Sequence, residues 1–393
     1  SLFTDVSTEM IYPLLPIFLA GVLGANASFI GAIEGAAETT ASLLKLVSGW
    51  WSDNIKSRKP FVVVGYLIAS IVRPFTAATH SATQVLAIRL TDRVGKGLRT
   101  SPRDALLADS APADARGLAY GFHAAADNTG AVLGPLIAFL LLKLNGVGAL
   151  DSSRRLSAHD EHAIRNVFWL SALPAAIAML VLIIVVRDVR RKGDEAKHAE
   201  TPAQGGKLSG RFWMYLTVVL LFTLGNSTDA FLLLRANQLG VPVALAPILW
   251  AVLNFVKAAT GTYGGQLSDR IGRKPLIVGG WLLYAAVYFA FAWAGAPWQA
   301  WALFAVYGIF YGMTEGTEKA LVADIVPTFR RGAAFGWYNL AIGLGALPAS
   351  LIFGWIWDRS GSASAFAFGA SLALIAALLM AFVAPSARLS EAK

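Results

Sequence analysis

The sequence predicts an all-α integral membrane protein whose twelve transmembrane helices form two six-helix repeats. Three observations predict this fold class: the apolar composition, the length of the apolar runs, and a pattern that is duplicated between the two halves. Hydrophobic residues make up 56% of the 393 positions and charged residues 15%, whereas soluble domains average about 45–50% apolar and about 25% charged residues. The mean hydropathy of +0.57 likewise favours a chain that resides in a lipid bilayer.

Twelve stretches of the chain are long and apolar enough to cross a bilayer, which takes roughly 20 residues per helix. Each run is continuous, whereas the strands of a membrane barrel are shorter and alternate apolar with polar residues. The spans are predicted at 2–24, 27–52, 61–79, 82–101, 116–143, 163–186, 212–237, 243–264, 275–295, 299–322, 332–357 and 362–384.

Basic residues gather in every second connection between these spans, and the intervening connections GANAS, THSATQ and GAPWQ are uncharged. The basic residues that follow the even-numbered spans are Lys56, Arg58 and Lys59, then Arg103 and Arg116, the segment RDVRRKGDEAK, then Arg270, Arg273 and Lys274, and finally Arg330 and Arg331. The positive-inside rule places these connections and both termini in the cytoplasm of a bacterial-type inner membrane. The net charge of +9 is therefore attributed to membrane orientation and not to a nucleic-acid partner.

The chain is predicted to consist of two halves joined by a linker. Residues 187–211 are polar, charged and Gly-rich, which is typical of a linker, and they separate six predicted spans in 1–186 from six in 212–393. The segment 103–121 aligns with 318–336 at a constant offset of 215 residues, with Ala-Asp, Pro, Arg-Gly and Gly at matching positions. Such internal duplication is typical of secondary transporters, in which the substrate binds between the repeats.

A similar loop signature occurs in each half of the chain. In the second half it comprises Gly265, Asp269, Arg270, Gly272, Arg273 and Lys274, and in the first half Gly49, Asp53, Arg58 and Lys59. This signature resembles that of the major facilitator superfamily. Each Asp can bind at a helix N-terminus or beside an Arg. The residues expected to form a cytoplasmic gate are Asp53, Arg58, Arg99, Asp269, Arg270 and Arg273.

The fifth predicted span resembles a motif of the superfamily's exporters, in which export is exchanged for protons. Its residues are Gly121, Gly130, Gly134 and Pro135. The family pattern continues with small residues, whereas Leu136 follows the proline here. The resemblance implies proton antiport, and the alternative that these glycines serve helix packing alone stays open.

The fourth predicted span carries a stripe of charged residues. Arg89, Asp92, Arg93, Lys96 and Arg99 have helical spacing and fall within one arc of about 120°. Because ionised side chains that face lipid cost several kcal/mol each, this face is expected to meet protein or water. Arg89 and Arg93 are expected to face a cavity, and Arg93 also resembles a fourth-span position that the superfamily associates with proton coupling.

Acidic and polar residues of other predicted spans are the expected partners of these arginines. A buried carboxylate near an arginine changes its proton affinity when its surroundings change, as a proton-coupled carrier requires. The candidates for substrate binding or proton coupling are Glu9, Glu34, Glu38, Arg89, Arg93, Asp127, Asn128, Asp229, Asn254, Lys257, Glu315 and Glu318. Permanent intramembrane ion pairs are the alternative interpretation, and Glu315 has the spacing to pair with Lys319.

We therefore predict a secondary active transporter that moves a small solute by alternating access. Proton-coupled export is the first hypothesis, and the alternatives are proton-coupled uptake of an anionic metabolite or chelate and lipid flipping on the same fold. The expected partners are a small-molecule substrate, protons and the lipid bilayer, with a monomeric protein. No enzyme activity is expected, since no nucleophile–base pair is visible, and the lack of a P-loop argues against an ATP-driven pump. No cofactor or metal is expected, and the absence of Cys excludes thiolate metal sites. The HDEH segment, 159–162, is interpreted as part of a solvated outer connection.

Overall fold

A computed structural model describes residues 1–53, 58–110, 116–147, 156–186, 208–326 and 331–383, and these ranges are almost entirely helical. The helices are α1 (Leu2–Ile11), α2 (Leu15–Gly21), α3 (Ala27–Asp53), α4 (Lys59–Val72), α5 (Ala82–Ser110), α6 (Arg116–Leu144), α7 (Ala158–Leu170), α8 (Ala172–Ile184), α9 (Gly210–Gly225), α10 (Ala230–Gln238), α11 (Ala246–Ile271), α12 (Arg273–Trp293), α13 (Pro297–Ile325) and α14 (Arg331–Val383). Short 3₁₀ helices span Arg73–Ala78 and Val243–Leu245. The predicted all-α class is confirmed in these ranges.

Several predicted spans consist of two helices in succession and not of one. The span predicted at 2–24 breaks after α1, where Leu14 N donates to Ile11 O at 3.1 Å in a tighter turn. Pro13 lies in this break, and a proline has no N–H to continue the helical ladder. The spans predicted at 163–186 and 212–237 are likewise divided, into α7 and α8 and into α9 and α10. The HDEH segment forms the first turns of α7 and not a loop, because Ser157 and Asp160 form a capping box.

Helix α14 shows the opposite outcome, since one helical run covers two predicted spans. Gly361 interrupts it with φ 83° and ψ 165°. This positive φ is favourable for glycine and costly for other residues. The interruption falls between the spans predicted at 332–357 and 362–384.

Eight helical stretches within the described ranges are long and apolar enough to cross a membrane. The stretch Ala334–Phe382 has 49 residues, enough for the two spans predicted there. Helices α3, α5 and α13 coincide with predicted spans but are not among the eight. These three helices carry the charged candidates Glu34, Arg89 and Glu318, among others. The total of twelve transmembrane helices therefore stays a prediction.

The described chain forms two compact units. The first contains Ser1–Ala25, the described part of Ala36–Gly205, and Pro242–Ala251; the second contains Asn26–Gly35, the described part of Gly206–Val241, and that of Val252–Lys393. Helices α3 and α11 each contribute to both units. The predicted division at 187–211 falls mostly on residues outside the described ranges and stays a prediction.

The core of the second unit is built from aromatic side chains and close helix crossings. Phe222 of α9 stacks on Trp281 of α12, with ring centroids 4.3 Å apart. Gly225 and Gly369 let α9 and α14 approach closely, since a Cβ added at Gly225 would lie 2.8 Å from the carbonyl oxygen of Gly369. Small residues at such crossings are how membrane helices maximise their packing contacts.

Asp358 of α14 caps the beginning of α3 within the second unit. Its carboxylate accepts hydrogen bonds from Ala27 N at 2.9 Å and from Ser28 N at 2.8 Å, and from the Ser28 hydroxyl. Asn26 accepts a further bond from Phe29 N at 2.9 Å. The first N–H groups of a helix lack partners inside the helix, and a carboxylate there also interacts favourably with the helix dipole.

We expect Asp358→Ala to destabilise the protein by about 0.5–2 kcal/mol, the usual cost of removing an N-cap acceptor. Thermal unfolding of the purified protein, followed by circular dichroism, measures this loss as a lower midpoint. Asp358→Asn is the matched control, because its single amide oxygen keeps one of the two backbone hydrogen bonds and should lower the midpoint less. An unchanged midpoint for Asp358→Ala would contradict the capping role.

Candidate functional site

The structure buries the charged stripe of α5. Arg89, Asp92, Arg93 and Arg99 are between 3% and 7% exposed, and Lys96 is half-buried. Ionised groups this far from water are costly unless other charges or hydrogen-bond partners compensate them. The partners of these side chains therefore define a polar network in the first unit.

Asp92 forms an ion pair with Arg73, in the 3₁₀ helix Arg73–Ala78 that follows α4. Arg73 Nη2 lies 2.7 Å from Asp92 Oδ1, and both side chains are at most 6% exposed. Nη1 of the same guanidinium donates to the carbonyl oxygen of Thr4 at 3.3 Å and to Ser7 Oγ at 3.2 Å. The pair thus joins the α4 end and α5 to α1.

Other charged groups of the stripe lie near aromatic or acidic side chains. Glu38 of α3 lies within electrostatic range of Lys96, Arg93 and Arg89. The Arg99 guanidinium lies 4.3 Å from the ring centroid of Tyr66, which is the distance of a cation–π contact.

The predicted exporter motif brings α6 against α1. A Cβ added at Gly130 would lie 2.7 Å from the carbonyl oxygen of Leu2, and one added at Gly134 would lie 2.6 Å from that of Val6. Pro135 is buried beside this crossing. Gly121 belongs to α6, but its surroundings lie outside the described residues. The packing role of Gly130 and Gly134 follows directly from these distances.

Acids of α1 and α6 lie at this crossing. Asp127 accepts from His123 Nδ1 at 3.3 Å and hydrogen-bonds to Asp5. Glu9 accepts from the indole Nε1 of Trp250 at 2.7 Å. Asn128, predicted beside Asp127, is exposed.

Asp229 of the second unit is held by two tyrosine hydroxyls. Tyr307 donates to Oδ1 at 2.8 Å and Tyr311 donates to Oδ2 at 2.9 Å. Lys257 lies 4.6 Å from the Tyr311 ring centroid, and its ammonium pairs with Glu315 at 2.9 Å. These contacts connect five side chains into the Asp229 cluster, in which Glu315 compensates the charge of Lys257. Its members are Asp229, Tyr307, Tyr311, Lys257 and Glu315.

Glu318 is a second buried carboxylate of this unit. It accepts from Trp281 Nε1 at 2.8 Å and from the Tyr338 hydroxyl at 2.7 Å. Glu315 lies one turn earlier on α13 and is exposed, where it also pairs with Lys319 at 3.4 Å. The remaining acid and amide candidates, Glu34 and Asn254, are buried and half-buried.

The predicted gate residues are described only in part. The side chains of Asp53 and Asp269 lie outside the described residues. Arg58 is 6% exposed and Arg270 is exposed. Arg273 Nε lies 3.2 Å from Asp324 Oδ2, and Nη1 donates to Ser268 Oγ at 2.5 Å.

Comparison with known proteins identifies the family. The profile of the Major Facilitator Superfamily matches residues 1–347 and, in a second match, 236–392. The chain belongs to the major facilitator superfamily. A relative from Methanocaldococcus jannaschii, described as an uncharacterized MFS-type transporter, is 31% identical over 390 residues, which cover 98% of this chain and 92% of the relative. The superfamily resemblance of the loop signatures is thereby confirmed, and the chain is a transporter and not an enzyme.

Two further likenesses are more limited within the superfamily. The multidrug resistance protein MdtH of Salmonella typhi is 28% identical over 157 residues, which cover 40% of this chain and 39% of that protein. The structure of a D-xylose-proton symporter aligns with a TM-score of 0.74 at 17% identity, over 98% of this chain and 95% of that one. The second likeness shows the membrane fold.

Several residues of the site were not among the sequence-based candidates. Arg73 was overlooked within a predicted apolar span, although an arginine followed by proline is an unusual pair there. Trp250, Trp281 and Tyr307 donate hydrogen bonds to candidate acids. Aromatic residues are common in membrane helices, so composition and spacing carried no signal for their role.

Arg73→Ala is expected to destabilise the protein by about 3–5 kcal/mol, because it leaves the buried Asp92 carboxylate without its cation. The double variant Arg73→Met/Asp92→Leu removes both charges and should recover most of this loss. Midpoints of thermal unfolding for both variants provide the measurement. A double variant that unfolds as early as Arg73→Ala would show that the lost stability does not come from an unpaired Asp92.

Proposed function

We propose that the chain exports a small solute in exchange for protons. In this proposal it acts as a monomer in a bacterial-type inner membrane, with both termini in the cytoplasm. The proton gradient supplies the energy and no cofactor is needed. Protonation and solute binding bias two global states of the transporter through their different affinities for each.

The observation that carries the proposal is the environment of Asp229. Both carboxylate oxygens accept from tyrosine hydroxyls, Tyr307 and Tyr311. A tyrosine hydroxyl can donate to a carboxylate and, after rotation, accept from a carboxylic acid. Asp229 can therefore gain or lose a proton while it keeps its hydrogen bonds.

The other buried acids fit a proton-carrying role less well. Protonation of Asp92 would leave the buried Arg73 without its counter-charge. Glu9 accepts from Trp250 and Glu318 accepts from Trp281. An indole N–H can only donate, so the oxygen bonded to it cannot carry the proton, whereas either oxygen of Asp229 can. In Glu318 only the oxygen bonded to the Tyr338 hydroxyl can carry a proton. Asp229 is thus the acid we assign to proton coupling.

Export is favoured over uptake by two observations. One is the partial likeness to the MdtH multidrug resistance protein. The other is the glycine and proline motif of α6, whose Gly130 and Gly134 form the close crossing with α1. The acids Asp5 and Glu9 of α1 lie at this crossing, so the motif fixes the position of a helix that carries titratable groups.

Proton-coupled uptake of an anionic solute is the second candidate. It is favoured by the buried cations of α5, because Arg89 and Arg93 are 6% and 7% exposed. A cavity lined by these guanidiniums would attract carboxylates or phosphates. The two candidates differ in the sign of the proton movement that the solute causes.

Everted membrane vesicles that contain the protein test the direction of transport. Respiration acidifies their interior, and an acridine dye reports the gradient. Ethidium, tetraphenylphosphonium and chloramphenicol serve as cationic and neutral probes, and citrate serves as the anionic probe. Export predicts that a cationic or neutral probe dissipates the gradient, whereas uptake predicts that citrate acidifies the interior further. If ethidium, tetraphenylphosphonium and chloramphenicol all leave the gradient unchanged, the result contradicts the proposed export.

Asp229→Asn is expected to abolish this probe-driven proton movement, because an amide cannot carry the proton. Downhill exchange of labelled probe across proteoliposomes should persist, since the asparagine keeps the hydrogen bonds to the tyrosines in part. Asp358→Asn is the matched control, because it removes a carboxylate charge outside the Asp229 cluster. Normal proton movement in Asp229→Asn would remove Asp229 from the mechanism.

A further inference from the structure

A cavity of about 220 Å³ lies inside the first unit, among α1, α4, α5, α6 and α8. One wall is apolar and includes Val62 of α4, Leu106 of α5, and Ala178 and Leu182 of α8. Pockets for whole drug-sized ligands measure about 300–1,000 Å³. This cavity is smaller, so it suits one part of an elongated ligand, such as a single acyl chain.

Another part of the cavity lining is polar. It consists of Arg103, His123 and Thr4 together with Tyr66. The Arg103 guanidinium lies 2.9 Å from Asp104, and it also hydrogen-bonds to the Tyr66 hydroxyl. The cavity therefore joins an apolar wall to a guanidinium whose five N–H groups are not all taken by Asp104 and Tyr66.

Two buried polar atoms of the cavity lining have no hydrogen-bond partner in the part of the chain that the structure describes. They are Thr4 Oγ1 and His123 Nε2. Thr4 is 1% exposed. Buried polar groups are normally hydrogen-bonded, and an unpaired one costs free energy. A polar ligand atom in the cavity would supply the partner that Thr4 and His123 lack.

Two side chains of the polar lining, Arg103 and His123, can donate hydrogen bonds to an anion. Asp104 is paired with Arg103, and Asp127 is bonded to His123 Nδ1 and to Asp5. These three acids do not line the cavity, whereas Arg103 and His123 do. The imidazole Nε2 can donate when the ring is protonated and accept when it is neutral. It can therefore bond to a carboxylate, a phosphate or the corresponding acid.

The helices that form the apolar wall also form an outer apolar surface. On α4, Val64 and Ile71 are 47% and 54% exposed, and on α8, Leu180 and Ile184 are 58% and 75% exposed. In a membrane protein such apolar surface faces lipid. Helices α4 and α8 therefore each line the cavity and also face the acyl region of the bilayer.

We propose that this cavity binds an anionic amphiphile, with one acyl chain between α4 and α8 and its carboxylate or phosphate on Arg103. The site is separate from the Asp229 cluster of the second unit and does not depend on the direction of transport. The ligand chemistry is shared by a free fatty acid and by an anionic phospholipid of the bilayer.

Native mass spectrometry of the full chain, purified in a neutral detergent, tests this proposal. The probes are dodecanoate, dodecanol, phosphatidylglycerol and phosphatidylcholine. We expect the protein to retain the anionic member of each pair about tenfold better than the neutral or zwitterionic one, the factor that one charge-assisted hydrogen bond provides. Retention of dodecanoate alone identifies a fatty-acid site, and retention of phosphatidylglycerol identifies a phospholipid site. If the protein retains dodecanoate no better than dodecanol, and phosphatidylglycerol no better than phosphatidylcholine, the proposal is overturned.

Variants locate the ligand within the cavity. Ala178→Phe fills the apolar wall and Arg103→Gln removes the charge, and each should reduce retention of the anionic probe by about tenfold. Ala176→Phe on the exposed face of α8 and Arg211→Gln at the exposed start of α9 are the matched controls. Arg103→Lys keeps the charge and should retain the probe. Binding that is equal in Ala178→Phe and Ala176→Phe overturns the proposed position, and the comparison of probes on the unchanged protein holds even if a variant fails to fold.

Discussion

The compensation of charge inside apolar helices is the constraint on which the rest of this structure depends. A membrane protein gains little from burying apolar surface against lipid, and it loses much when an ionised group is buried alone. Arg73 and Asp92 compensate each other's charge, with their closest atoms 2.7 Å apart. Arg73 also donates a hydrogen bond to the carbonyl oxygen of Thr4. One ion pair thus joins three helical segments of the first unit and positions the α5 stripe.

Asp92 and Glu38 of the first unit and Asp229 of the second are compensated by different means. In the first unit Asp92 is paired with a guanidinium, and Glu38 lies among Lys96, Arg93 and Arg89. In the second unit Asp229 accepts from two tyrosines. Ion pairs hold a carboxylate in its charged form, whereas hydroxyls accommodate both forms. In our proposal, this difference separates groups that stabilise the fold from the group that changes protonation during transport.

Close helix crossings place these groups. Gly130 and Gly134 bring α6 against α1, and Gly225 and Gly369 bring α9 against α14. At the first crossing Asp5 of α1 hydrogen-bonds to Asp127 of α6, which also accepts from His123. A side chain at Gly130 or Gly134 would push α6 away from α1 and so separate Asp5 from Asp127. The same small residues therefore serve packing and electrostatics together.

The sequence by itself determined the membrane class, the superfamily and the periodic stripe of α5, because these depend on composition and on short-range spacing. It also identified Asp229 and Glu318 as candidate acids. Only the tertiary structure decided which partner each acid has, since Arg73, Trp250 and Tyr307 are far from their acids along the chain. Hydrogen bonds and ion pairs depend on side-chain positions in space, and no periodicity in the sequence records them. The breaks at Pro13 and Ser171 likewise followed from local backbone hydrogen bonding, which apolar run length does not register.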